Sequence, residues 1–171
     1  MEIDELINVV PYEECWQQLF SEEQQHLQGT LGDTIVDIQH IGSTAVPGLA
    51  AKPIIDMLVG LHTLQLTIEP IAVLGTLGYE YLGEASVPGR LYLRKRYPHA
   101  FNLHIVQWGS KLWTNNLLLR DFLRTHPDEA ERYGQHKQEL ATSGIRTLLA
   151  YSEKKRVVIA ELLRRAQAWK A

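Results

Sequence analysis

The stretch with the most chemistry per residue runs from His40 to Asp56, and its middle reads Gly42, Ser43, Thr44, Ala45, Val46, Pro47, Gly48 before Lys52. Glycine lets a backbone approach a phosphate closely, and two hydroxyls with exposed amides can donate hydrogen bonds to it. Gly42, Ser43 and Thr44 are therefore candidate phosphate-binding residues, with Lys52 adding positive charge at the mouth of the loop. Asp56 could hold a magnesium ion, which takes one or two carboxylates plus phosphate oxygens. The same residues also fit a tight turn between strands, with Ser43 and Thr44 capping a short helix. On residue types alone the two readings stand level.

Other candidates flank this loop. Arg90 follows a Pro-Gly turn and begins a basic run with Arg94, Lys95 and Arg96. Such a run can clamp phosphates, although Arg96 fits a solvated edge strand slightly better. Asn102 and His104 share one strand face because side chains alternate, and His104 is a candidate metal ligand or a satisfied core histidine. His40 shares a face with Val36 and Ile38 and reads first as a hydrogen-bonded structural residue, second as a ligand. Arg120, Asp121 and Arg124 lie on one helix, where Asp121 and Arg124 have ion-pair spacing. Arg120 and Arg124 are like charges at i, i+4, which favours an anion or an acid such as Glu84 between them. Lys154, Lys155 and Arg156 read as a solvated helix face, and Cys15 as a small core hydrophobe.

The elements that must position these groups follow from periodicity. Residues 12–31 have helical spacing, and 34–41 and 54–61 read as strands around the Gly- and Pro-rich loop. A helix is expected over 69–77, stopped by Gly78, then strands over 79–82, 91–96 and 101–108. Helices follow over 115–125, 127–143 and 148–169, the middle one opened by Pro127. Strands first and helices afterwards predict an α+β domain, a mixed sheet covered by helices with a helical C-terminal region. The chain reads as one domain over 1–171, its sheet core about 1–110 and its helical part about 111–171.

A net charge of −3 gives no global pull towards nucleic acid or an anionic membrane. One cysteine excludes an intramolecular disulfide and a thiolate zinc cluster. The acidic N-terminus is unlike a signal peptide and no apolar run is long enough to span a bilayer, so the expected location is cytoplasmic, with no membrane partner. Nothing supports sequence-specific nucleic-acid reading, and the oligomeric state is not indicated.

The stretch His40 to Leu49, followed by Lys52 to Asp56, resembles the signature of the GrpB family. The likeness continues through Gly83 and Glu84, Pro88 to Arg90, Leu103 to Ile105, Trp113, and Leu119 to Arg124, and it reaches Tyr151 to Lys155. It spans about Val9 to Ala166. The resemblance implies a fold similar to the polymerase-β-like nucleotidyltransferases, in which a Gly-Ser pair grips the triphosphate and carboxylates hold divalent metal. By that likeness Asp56 is the catalytic acid, and Asp56 with His104 would bind magnesium or manganese. The expected ligand is a nucleotide or other phosphorylated small molecule, with a nucleotidyl group passed to an acceptor. Two positions depart from the pattern. Leu58 stands where a second acid belongs, and the strand 101–108 holds no carboxylate. Asp37 and Glu84 are the possible substitutes. The alternative is a non-catalytic nucleotide-binding or accessory module. Similar proteins fused to dephospho-CoA kinase suggest a link to coenzyme A metabolism.

Overall fold

The computed structural model describes residues 6–65 and 68–171. The first five residues of the acidic N-terminal stretch therefore lie outside the described residues. Among those described, five strands are formed: β1 Ile35–Ile41, β2 Ile54–Leu61, β3 Glu80–Tyr81, β4 Arg90–Lys95 and β5 Ala100–Gln107. They make one sheet in the order β1-β2-β5-β4-β3. Only β2 and β5 run parallel; the other neighbours are antiparallel. The helices are α1 Cys15–Leu31, α2 Ile68–Thr76, α3 Lys111–Thr125, α4 Pro127–Thr142 and α5 Leu148–Lys170. This is the expected α+β arrangement of a mixed sheet with helices over it. Among the described residues no helix is long and apolar enough to cross a membrane.

Local chemistry explains the boundaries. α3 starts four residues earlier than periodicity suggests because the Ser110 side chain accepts a hydrogen bond from the backbone N–H of Trp113, satisfying an otherwise orphaned donor. β1 starts one residue later because Gly32–Thr34 close a short 3-10 turn. Cys15, expected in the core, is exposed at the first position of α1. Helix periodicity does not fix which way a terminal residue turns.

The interior strand β2, between β1 and β5, is apolar along nearly its whole length because helices cover both of its faces. On one face Ile55, Met57 and Val59 pack with Trp16 and Leu27 of α1 and Leu74 of α2. On the other, Leu58 joins Ile41, Val106 and Trp113 in a second apolar cluster under α3. Gly60 admits the indole rings there: a Cβ on it would lie 2.8 Å from Trp113 and 2.9 Å from Trp108. Asp56 sits on the same face as Leu58, one strand repeat nearer the start of β2. In register, Asp56 lies opposite Asn102 and Leu58 opposite His104 on β5. The C-terminal helices close over this end, where Val46 and Leu49 of the loop pack with Phe122, Tyr133 and Leu162.

One buried polar network ties α1 to the sheet. Glu23 accepts hydrogen bonds from the Tyr79 hydroxyl at 2.6 Å and from Lys95 Nζ at 3.0 Å. Burial alone would raise its carboxyl, but these donors outweigh burial and lower it.

The apolar cluster explains why position 58 carries no acid. Leu58 has no solvent exposure, and a carboxylate among Ile41, Val106 and Trp113 would have no donor. The Leu58→Asp variant is expected to lose about 3 kcal/mol or more of stability in urea denaturation. A loss below about 1 kcal/mol would mean that the position tolerates the missing acid.

Candidate functional site

β1 delivers the chain to Gly42, whose φ of 72° and ψ of −172° fall in a region open essentially to glycine alone. A Cβ at this position would lie 2.6 Å from Asp56 Oδ2, so the glycine is the surface against which the carboxylate rests. The turn Ser43–Ala45 follows. Arg124 Nε donates to the Ala45 carbonyl at 2.8 Å, which holds the turn against α3.

Asp56 Oδ1 accepts from Asn102 Nδ2 at 2.9 Å and from His104 Nε2 at 3.1 Å. Burial would raise this carboxyl, but the bonds from His104 and Asn102 and the charge of Lys52 outweigh it and hold the group well below the usual range. On its other side His104 Nδ1 lies 3.2 Å from Arg90 Nη1. A guanidinium can only donate. Nδ1 must therefore accept, and Nε2 carries the hydrogen directed at Asp56. Arg90 is itself fixed by the carbonyls of Glu84 at 3.2 Å and Ala85 at 2.9 Å, with its guanidinium over the Tyr92 ring. Arg96 Nη2 donates to Asn102 Oδ1 at 3.0 Å, turning the amide so that its nitrogen faces Asp56. Arg96 is thus half-buried and positions a site residue, in place of the solvated edge charge expected for it.

This constellation forms one wall of a cavity of about 730 Å³ between the sheet and the three C-terminal helices. Lys52, Arg90, Arg120, Lys137, Lys155 and Arg156 line it, against the carboxylates Asp56 and Glu153. The local charge is the reverse of the net charge of the chain. Two of these cations carry little signal in the sequence. Lys137 is 2% exposed; its Nζ donates to the Ala50 carbonyl and lies 4.8 Å from the centroid of the Tyr133 ring. Burial, then the charges of Lys155 and Lys52, push its amine down to about 7. Lys155, expected on a solvated face, lies 5.5 Å from the Tyr151 ring centroid, while its neighbour Lys154 is exposed. The available signal for Lys137 is its place four residues after Tyr133 on the buried stripe of α4, where an apolar residue is the norm. Tyr133 in turn lines the same cavity as Ser43.

Other expected residues are placed differently. His40 points towards α1, stacked on Phe20 at 4.8 Å, with Nε2 bonded to the Thr44 hydroxyl at 2.9 Å. Burial, the largest influence, together with Arg124 and Arg120 lowers it to about 4, against the opposing charge of Asp56. Thr44 lines the cavity, but its hydroxyl is engaged by His40. Glu84 accepts from the Gly89 N–H at 2.9 Å and Asp37 from the Ile38 N–H and Gln39 Nε2 at 2.8 and 2.7 Å. Neither carboxylate, each weighed as a substitute for a second acid, lines the cavity. Asp121 pairs with the adjacent Arg120 at 2.8 Å and not, as spacing suggests, with Arg124. Arg120 reaches Gln39 Oε1 at 2.7 Å and the His40 carbonyl at 3.2 Å, not Glu84.

The two expected metal ligands, Asp56 and His104, are hydrogen-bonded to each other. Asp56 already accepts two hydrogen bonds on one oxygen, His104 has both ring nitrogens engaged, and cations surround the pair. The arrangement suits an anion, with one ionised carboxylate left to accept from a hydroxyl or N–H of the same ligand.

Comparison with known proteins agrees over nearly the whole chain. The family model described as GrpB protein matches residues 6–165. The protein YqkA of Bacillus subtilis is 33% identical over 96% of this chain, which spans about half (48%) of that relative's length. The glutamate-rich protein GrpB of Alkalihalophilus pseudofirmus is 30% identical over 91% of this chain and 92% of its own. The crystal structure of conserved protein GrpB from Enterococcus faecalis superposes with a TM-score of 0.82 at 35% identity, covering 95% of this chain and 99% of that one.

The buried lysine has a measurable consequence for stability. With a native value of about 7 against 10.5 for the free amine, the unfolded chain binds more protons between those limits. Stability therefore rises with pH across that window, and the full penalty applies below it. The Lys137→Met variant is expected to be more stable than wild type by on the order of 1–3 kcal/mol at pH 6. That advantage should shrink as pH rises from 7 towards 10. Thermal or urea unfolding across this range would show it, and a variant less stable at pH 6 would contradict the assignment.

Proposed function

We propose that this chain, which belongs to the GrpB protein family, binds a nucleotide or other phosphorylated small molecule in the cavity between the sheet and the C-terminal helices. The observation that carries the reading is charge: six basic side chains face two carboxylates around a cavity of about 730 Å³ in a chain of net charge −3. Gly42 and Ser43 offer a phosphate the close approach of the turn, and Lys52 and Arg90 neutralise its charge. Asp56, ionised and aimed by His104 and Asn102, accepts from a hydroxyl or base N–H and so sets the ligand's orientation. The likeness to polymerase-β-like nucleotidyltransferases, read from the His40 to Asp56 segment, supports a nucleotide over other phosphate esters.

A second reading is transfer of a nucleotidyl group to an acceptor hydroxyl. The ionised Asp56 beside the Gly42 turn favours it, since such a carboxylate can orient an attacking hydroxyl by accepting its hydrogen bond. Magnesium or manganese would then have to enter on the phosphates of the nucleotide, because Asp56 is the one carboxylate beside the Gly42 turn. The non-catalytic module, with its link to coenzyme A metabolism, makes the same binding prediction without transfer.

Calorimetry with ATP, GTP, CTP and UTP, each alone and with magnesium or manganese, tests the reading. Wild type is expected to bind at least one of them, and Arg90→Ala about ten- to a hundredfold more weakly, the cost of charge-assisted hydrogen bonds. Absence of binding, or equal binding by wild type and Arg90→Ala, would sink it. Transfer of α-labelled nucleotide to an acceptor, abolished in Asp56→Asn, would establish the second reading over the module.

A further inference from the structure

We propose that Lys52, Lys137 and Lys155, framed by the rings of Tyr133 and Tyr151, form a subsite for a phosphate chain, and that filling it puts a proton on Lys137. This inference rests on the phosphorylated-ligand reading of the cavity and adds to it the class of ligand, one carrying a condensed phosphate chain. Three separate elements bring the ammonium groups together: the loop before β2, α4 and α5. Lys52 lies 5.6 Å from the Tyr151 ring centroid, Lys155 5.5 Å from the same ring and 6.0 Å from Tyr133, and Lys137 4.8 Å from Tyr133. Ser43 and Tyr133 line the same cavity, so the subsite is continuous with the Gly42–Ser43 turn. One phosphate chain can therefore touch both.

The geometry around Lys137 is that of a cation waiting for a counter-ion. Its side chain is 2% exposed and lines the cavity, and the hydrogen-bond acceptor it meets is the neutral carbonyl of Ala50. The groups facing it are Tyr133 on its own helix, Lys155 and Tyr151 on α5, and Lys52 on the loop. Among the described residues Asp56 acts by charge on Lys155 and Tyr133 and is already bonded to His104 and Asn102, and Glu153 of α5 also lines the cavity. A role confined to clipping the loop through Ala50 needs no charge, because a neutral amine donates the same bond. A phosphate chain entering beside three lysines would favour the charged amine, and a proton would be taken up from solvent on binding. The depressed basicity of the empty site makes that uptake visible above neutrality.

Titration calorimetry with inorganic tripolyphosphate at pH 8, in buffers of different ionisation enthalpy, tests this directly. Wild type is expected to take up about one proton more than Lys137→Arg, a difference in which the protonation of the ligand itself cancels. Lys137→Met is expected to bind about tenfold or more weakly. Lys155→Met should lower both affinity and proton uptake, since removing a neighbouring charge lets Lys137 hold its proton in the empty site. Equal proton uptake by wild type and Lys137→Arg, or unchanged affinity in Lys137→Met, would overturn the subsite. Tripolyphosphate binding that is lost in Arg90→Ala but unaffected in Lys137→Met would overturn it while leaving the phosphorylated-ligand reading in place. No binding to wild type would remove both.

Discussion

The carboxylate of Asp56 rests against Gly42 so closely that a methyl group on the glycine would lie 2.6 Å from Oδ2. That contact sets the rest of the site. It forces the chain leaving β1 into a backbone conformation reserved for glycine, which starts the Ser43–Ala45 turn. It also leaves Oδ1 as the oxygen that Asn102 and His104 reach across from β5. Since β2 and β5 are parallel and in register, the pair of donors is fixed by the sheet and not by a mobile loop. Arg90 and Arg96 then lock the two donors from β4 and its end. Four groups are spent on keeping one carboxylate ionised and oriented.

Across the cavity the logic is inverted. Lys137 and Lys155 come from helices that pack by apolar contacts, yet they present cations to the interior. A lysine on the buried stripe of α4 with a carbonyl as acceptor weakens the fold. Stability given up at a buried position is the usual mark of a residue kept for binding. Sheet and helices therefore contribute opposite things: the sheet an acceptor with a fixed direction, the helices a positive field. A ligand with a phosphate chain at one end and a hydroxyl or N–H at the other satisfies both.

How much of this could be read in advance depended on the range of the interaction. The elements were legible because β-branched runs and helical periodicity are local signals: β2 has the expected bounds and α4 opens at Pro127. The sheet-side site was legible too, since strand alternation alone aligns Asn102 with His104. What failed was anything set by a distant partner. The spacing of Asp121 and Arg124 suggested an ion pair, but Gln39 and the His40 carbonyl hold Arg120 where Asp121 meets it instead. Arg96 looked like an edge charge until Asn102 was placed beside it. Lys137 and Lys155 were invisible as a pair because only tertiary packing brings α4 and α5 over the start of β2. Leu58, where the resemblance leads one to expect a second acid, is buried against Trp113 by packing that its own strand does not reveal.

The central claim is that the cavity beside Gly42 and Asp56 is an anion site. Titrating isotope-labelled protein with inorganic pyrophosphate while recording amide and arginine side-chain resonances tests it most directly. Saturable shifts are expected at the amides of residues 42–45 and at the Arg90 side chain, with the surface of α1 and α2 unaffected. Shifts scattered over exposed lysines, or none in the 42–45 turn at saturating pyrophosphate, would contradict it.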